Sequence, residues 1–161
     1  MNESVELNDD FRDMLEALVA SDVDFVIVGA HALAAHGLPR ATGDIDILVR
    51  PTEENAERVL AALAKFGAPL EAHGVSRADF STPGRVYQIG LPPRRIDLLT
   101  EISGVSFEDA WAGRVTTSIG GVPVSILGRD SLVKNKRATG RDKDLLDVRA
   151  LTRTRSRGPG R

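Results

Sequence analysis

Apolar residues recur at helical spacing from Asn8 to Ala20, with Phe11, Met14, Leu15, Leu18 and Val19 on one face and Asn8 or Asp9 placed to cap the start. The period then changes. Asp24 to Val28 is a short apolar run ending at Gly29, the signature of a buried strand. Ala30 to His36 predicts a small alanine-rich helix stopped by Gly37-Leu38-Pro39. Ile45 to Val49 predicts a second strand, closed by Pro51. Thr52 then caps a helix from Glu53 to Phe66, whose acidic first turn suits the helix dipole. Ala68 to Gly84 is weakly patterned and predicts a short helix and loop. Two further strands, Arg85 to Ile89 and Arg95 to Leu99, flank Gly90-Leu91-Pro92-Pro93-Arg94. Phe107 to Trp111 predicts one helical turn. Val115 to Ile119, Gly120-Gly121 and Val122 to Leu127 together predict a hairpin, because Gly-Gly suits a two-residue turn. A helix begins at Asp130 or Ser131 and runs to about Ala138. Thr139-Gly140 breaks it before a last helix, Arg141 to about Leu151.

These elements sum to an α/β fold, a mixed β-sheet flanked by helices with a short C-terminal helical segment. One domain is expected over residues 1–151, with its core at about 24–127 and the C-terminal helices at about 130–151. Residues 152–161, rich in Arg, Gly and Pro, are expected to be a disordered basic tail.

Charge adds one feature to this outline. The net charge is only −2, but residues 129–161 carry 11 Lys+Arg against 4 Asp+Glu, so the rest of the chain is strongly acidic. A basic end on an acidic body suits a polyanionic partner, though a solvated amphipathic helix would look the same. There is no cysteine, which excludes disulfides, thiolate metal sites and a cysteine nucleophile. No apolar run approaches the roughly 18 residues of a membrane span. The acidic start, Met1-Asn2-Glu3-Ser4, is unlike a signal peptide, so a cytoplasmic protein with no membrane partner is expected.

The chemistry gathers around Gly43-Asp44-Ile45-Asp46-Ile47-Leu48. Side chains alternate along a strand, so Asp44 and Asp46 share one face while Ile45 and Ile47 point into the core. Asp97, in Arg95-Ile96-Asp97-Leu98-Leu99, repeats the arrangement. If the two strands are neighbours, three carboxylates converge and repel one another unless cations neutralise them. Two Mg2+ ions would do so and could bridge the oxygens of a phosphoryl transfer. The plainer readings are a solvated edge strand for Asp44 and Asp46 and an ordinary turn glycine for Gly29. His31, His36 and His73 have no zinc-site spacing, Ser131 has no histidine partner, and Phe107 and Trp111 read as core or as an anchor for the hairpin.

Gly29-Ala30-His31-Ala32 followed by Gly37-Leu38-Pro39-Arg40-Ala41-Thr42-Gly43-Asp44-Ile45-Asp46, with Asp97 on a later strand, resembles the nucleotidyltransferase superfamily typified by DNA polymerase β. It is most similar to the small bacterial AbiEii-like enzymes of type IV toxin–antitoxin systems. The stretch from Leu132 to Asp147 also looks like theirs, so the resemblance spans about Asp24 to Leu151. It implies transfer of a nucleoside monophosphate from an NTP, ATP among them, to an acceptor. Asp44, Asp46 and Asp97 would hold Mg2+, or Mn2+ in its place, and Asp97 would also activate the acceptor hydroxyl. Gly29 and Ala30 would bring backbone N–H groups to the triphosphate. Arg40, Thr42, Lys136, Arg141 and Lys143 would complete the nucleotide site. Ala30 departs from the Gly or Ser common at that position, so any contact through a serine hydroxyl is lost.

For the acceptor, the basic end favours RNA, a tRNA end among the candidates, with a protein hydroxyl close behind and a cognate toxin or antitoxin as a partner. A small molecule such as an antibiotic is a further alternative. So is a catalytically inactive relative that binds nucleotide or a partner protein, although such a protein would have no use for the repulsion of three retained carboxylates. A pure RNA-binding protein would need stacking platforms, which one Trp and one Tyr scarcely provide. For Lys143, Asp144, Asp147 and Arg149 the plain reading is a set of exposed helix salt bridges. The sequence leaves the oligomeric state open.

Overall fold

The structure, a computed structural model, describes residues 8–38 and 43–157. Helix α1 (Asp9–Ala20) leads into β1 (Phe25–Val28), α2 (Gly29–Ala35), β2 (Ile45–Val49) and α3 (Glu53–Phe66). Two short helices, α4 (Leu70–His73) and α5 (Ala78–Ser81), precede β3 (Val86–Ile89) and β4 (Ile96–Leu99). Then come α6 (Phe107–Ala112), β5 (Val115–Ile119), β6 (Val122–Ile126), α7 (Arg129–Thr139) and α8 (Asp142–Arg157). The strands form one mixed six-stranded sheet in the order β3-β4-β2-β1-β6-β5. β2 pairs antiparallel with β1 and parallel with β4, while β1 pairs parallel with β6. The α/β class and mixed sheet expected from sequence are what the chain adopts. No helix among the described residues is long and apolar enough to cross a membrane.

Local chemistry accounts for most of these boundaries. Asn8 accepts a hydrogen bond from the Phe11 N–H at 3.0 Å, so Asn8 rather than Asp9 is the cap of α1. Thr52 caps α3 in the same way, with Glu53 and Glu54 in the first turn. The β5–β6 turn uses Gly120 and Gly121 at φ 57° and 84°, the left-handed pair that a tight hairpin turn demands. Asn55 supplies a tie the sequence did not announce. It is 2% exposed, accepts from the Asp24 N–H and donates to the carbonyls of Asp24 and Arg50. It thereby locks the start of α3 to the strand ends. Arg50 pairs with Asp24 and Glu108, and its guanidinium lies over the stacked rings of Phe107 and Trp111. Those two aromatics therefore pin α6 to the end of β2, with Phe107 in the core as expected.

Two expectations need correction. The Ala68–Gly84 region forms two short helices, not one helix and a loop. The last helix does not stop at Leu151 but continues through Arg157, so the tail expected at 152–161 is helical for its first six residues. Thr152 turns its hydroxyl back to the Val148 carbonyl at 2.9 Å, and the helix breakers Gly158 and Pro159 come only afterwards. Residues 158–161 lie outside the described residues.

The core is built from Leu, Ile, Val and Ala on both faces of the sheet. Ile45, Ile47, Leu48 and Val49 are all within 1% of complete burial, as are Val26, Ile27 and Leu98. Burial on both faces follows from the central place of β2, and it makes a charged residue on that strand costly. Asp46 is the exception that β2 carries.

Candidate active site

Asp46 and Asp97 stand opposite one another in the β2–β4 pairing, and Val28 is opposite Asp46 across β1. One rung of the sheet thus carries Val28, Asp46 and Asp97 side by side. Because β2 is central, the solvated-edge reading of Asp44 and Asp46 fails. Asp44 lies just before β2, where its Oδ1 accepts the Arg95 N–H at 2.9 Å. The Ile45 N–H donates to the Arg95 carbonyl at 3.0 Å, so the strand ends that bear Asp44 and Arg95 are fastened together. Gly43 permits this approach, since a Cβ there would fall into the Pro93 carbonyl. Asp46 is thus registered against Asp97, and Asp44 is joined to Asp97 through the Arg95 side chain that contacts both.

Gly29 is more than a turn residue. It opens α2 at φ +72°, and a Cβ added to it would lie 2.4 Å from Asp46 Oδ2. The backbone at the strand-to-helix junction therefore reaches the carboxylate because there is no side chain between them. We expect Gly29→Ala to displace the Asp46 carboxylate. Stability should fall by about 1–2 kcal/mol. A denaturant melt checks this; a variant as stable as wild type would contradict the assigned closeness. No side chain caps α2, so its first N–H groups, those of Gly29 and Ala30 among them, are not engaged by a capping oxygen.

The electrostatics are unusual. Asp97 is 7% exposed, and the Asp44 side chain is 27% exposed. Burial, then the Asp97 charge and a hydrogen bond shared with it, then Asp44, push the Asp46 carboxyl up to about 6, with Arg95 pulling the other way. The native protein thus holds this proton more tightly than the unfolded chain does. That stabilisation is complete below about pH 4 and is lost as pH rises through about 6. In the metal-free protein at about pH 7.5, Asp46→Asn should therefore raise stability by about 1–2 kcal/mol, allowing for partial solvent screening. The advantage should vanish near pH 4, where Asp46 is already neutral. Thermal melts of both proteins at the two pH values measure this; a constant difference would show that Asp46 is not the titrating group.

Arg95 is the residue that sequence reasoning missed. Its Nε and Nη2 donate to the two oxygens of Asp97 at 2.7 and 3.1 Å, and its guanidinium reaches to 3.6 Å from Asp44 Oδ2. The signal was available, because residues two apart on a strand share a face and Arg95 stands two before Asp97. As they stand, no group of three His, Asp or Glu among the described residues is arranged to hold a metal ion. The guanidinium takes both oxygens of Asp97, which is a physical reason for that. The donor set itself, three carboxylates and no nitrogen or sulfur ligand, fits a hard dication such as Mg2+.

The remaining expected residues lie elsewhere. Arg40 and Thr42 fall outside the described residues. Lys136 Nζ lies 3.3 Å from Asp144 Oδ1 and 3.2 Å from Asp147 Oδ2, and Arg141 and Thr139 also bind Asp144. Asp144 is wholly buried and Asp147 is 3% exposed, so these are not the exposed helix salt bridges of the plain reading. Hydrogen bonds from Arg141, then Thr139 and Lys136, hold the Asp144 carboxyl well below the usual carboxylate range despite its burial. Lys136 and Arg141 thus clasp α7 to α8, while Lys143 is exposed on α8. None of the three is brought into a hydrogen bond or ion pair with Asp44, Asp46 or Asp97.

The sequence matches no protein-family model, and no curated protein matches it. Among solved structures, the chain is similar to a candidate nucleotidyltransferase (TM1012) from Thermotoga maritima, at 16% identity and a TM-score of 0.59. The match covers 93% of this chain and 97% of that one. At that identity the likeness concerns the fold: this chain has the overall α/β architecture of that protein, along nearly its full length.

Proposed function

We propose that the protein is a metal-dependent nucleotidyltransferase of the DNA polymerase β-like superfamily, of the small AbiEii-like kind. It would transfer a nucleoside monophosphate from an NTP to a hydroxyl group and release pyrophosphate. One observation carries the reading: Asp46 and Asp97 face each other on one rung of adjacent strands, with the bare backbone of Gly29 against Asp46 and Asp44 tied in through Arg95. The fold shared with the Thermotoga protein supports it.

In this reading the acceptor oxygen attacks the α-phosphorus, its bond to phosphorus forms, and the bond from the α-phosphorus to the bridging oxygen breaks. The hydroxyl proton passes to Asp97 and the electron pair leaves with pyrophosphate. Bound Mg2+ at Asp44, Asp46 and Asp97 would supply charge neutralisation for the triphosphate. The chain itself contributes position. Paired strands fix the carboxylates, and the N–H groups of Gly29 and Ala30, which no side chain caps, would be available to the triphosphate. Little covalent chemistry is asked of the protein.

For the acceptor we favour RNA. Arg129, Lys134 and Arg137 line a groove between α7 and α8 with Asp130 the one acid among the described lining residues, a surface suited to a phosphate backbone. A protein hydroxyl, as in a toxin acting on a partner, is the second choice. Ala30 and the guanidinium seated on Asp97 favour one competing reading, a relative that binds nucleotide without turning it over. The test incubates the protein with each α-32P-labelled NTP, Mg2+, total RNA and cell lysate, beside Asp44→Asn. Label on RNA, or on one protein band, that is absent in the variant establishes the activity and the acceptor class. Tight NTP binding with no label moved would favour the binding-only relative.

A further inference from the structure

Arg95 holds the carboxylates by both main chain and side chain. Its N–H fixes Asp44 through Oδ1, while the guanidinium spans both oxygens of Asp97 and approaches Asp44 Oδ2. The side chain is 28% exposed, so it can swing toward solvent on its own rotatable bonds without moving β4. The main-chain tie to Asp44 would survive such a swing. A planar, permanently charged fork of this kind matches a carboxylate in two-point geometry, and it neutralises the charge a metal would otherwise neutralise.

We propose that Arg95 is an internal counter-ion that competes with the divalent cation for Asp44 and Asp97, and so sets how tightly the site takes metal. This deepens the proposed function and rests on it. A dication bound to Asp97 would sit within a few ångströms of the guanidinium, where like charges in a half-buried site repel strongly. Cation and guanidinium therefore exchange.

The test is Mn2+ binding by electron paramagnetic resonance, with the metal alone, on wild type, Arg95→Gln, Arg95→Lys and Asp44→Asn. Loss of the competing charge should make Arg95→Gln bind Mn2+ about tenfold tighter, while Arg95→Lys, which keeps the charge, stays within about threefold of wild type. The metal-free Arg95→Gln protein should also melt lower than wild type near neutral pH and gain more in Tm from Mn2+. Should Arg95→Gln prove poorly folded, Arg95→Met, which keeps the aliphatic stem, makes the same measurement. An Arg95→Gln or Arg95→Met protein that binds Mn2+ no tighter than wild type overturns the inference and leaves the proposed function standing. Mn2+ binding that survives Asp44→Asn undiminished, or is absent from every form, overturns both.

Discussion

Asp46→Asn will lower the rate of nucleotidyl transfer by about 1,000-fold or more while leaving a protein at least as stable as wild type. The two halves of that result are linked. Asp46 sits on a central strand between buried neighbours, where a carboxylate costs stability and its proton is held up to about 6. On the proposed function, that cost goes with what the charge does for the bound metal. Asn keeps the shape and removes the charge, so the fold gains and the chemistry goes. Asp44→Asn and Asp97→Asn should be similarly inactive. Single-turnover rates with labelled NTP, beside circular dichroism, read both quantities. A near-normal rate from folded Asp46→Asn would remove this residue from the mechanism.

Lys136→Met will cost about 2–3 kcal/mol, a fall in Tm of roughly 5–10 °C, and will do so whether or not nucleotide is present. Lys136 lies between two carboxylates of α8, one wholly buried and the other 3% exposed. Removing the ammonium leaves those charges short of a partner in the interior, which costs more than losing an ordinary salt bridge. Arg141 and Thr139 still bind Asp144, and this keeps the loss below that of a wholly stripped pair. Arg141→Ala should cost less than Lys136→Met, because the Arg141 side chain is 63% exposed. The resemblance instead assigned Lys136 to the nucleotide. If that role dominates, Lys136→Met will keep its Tm and lose NTP affinity. Thermal melts and calorimetric NTP titration of the one variant distinguish the two.

The parts of the molecule that could be read from sequence are those governed by local chemistry. Thr52, Gly67 and the 53–66 periodicity define α3 completely, and Gly120-Gly121 defines the hairpin turn, because each depends only on near neighbours. Asp44, Asp46 and Asp97 were visible because a lone acid in an apolar strand stands out. That they meet depends on β2 and β4 being parallel neighbours, which strand patterns alone do not specify. Arg95 reads as the first residue of a strand, on the face of Asp97, but its reach to Asp44 depends on the pairing of β2 with β4. Lys136, Asp144 and Asp147 look like surface charge until Gly140, at φ +66°, turns α8 back on α7 and buries the two acids. The groups hidden from sequence are thus those whose role is set by a partner distant in the chain.

On the proposed function, the group transferred is the nucleoside monophosphate. Parallel reactions with α-32P- and γ-32P-labelled NTP, the same acceptor and Mg2+ distinguish this from phosphate transfer. The α-label should follow the acceptor, the γ-label should appear only in pyrophosphate, and Asp46→Asn should stop both. Label moving from the γ-position to the acceptor would mean phosphate transfer instead. NTP left unchanged by folded protein with RNA and lysate present would mean that these carboxylates bind without turning over.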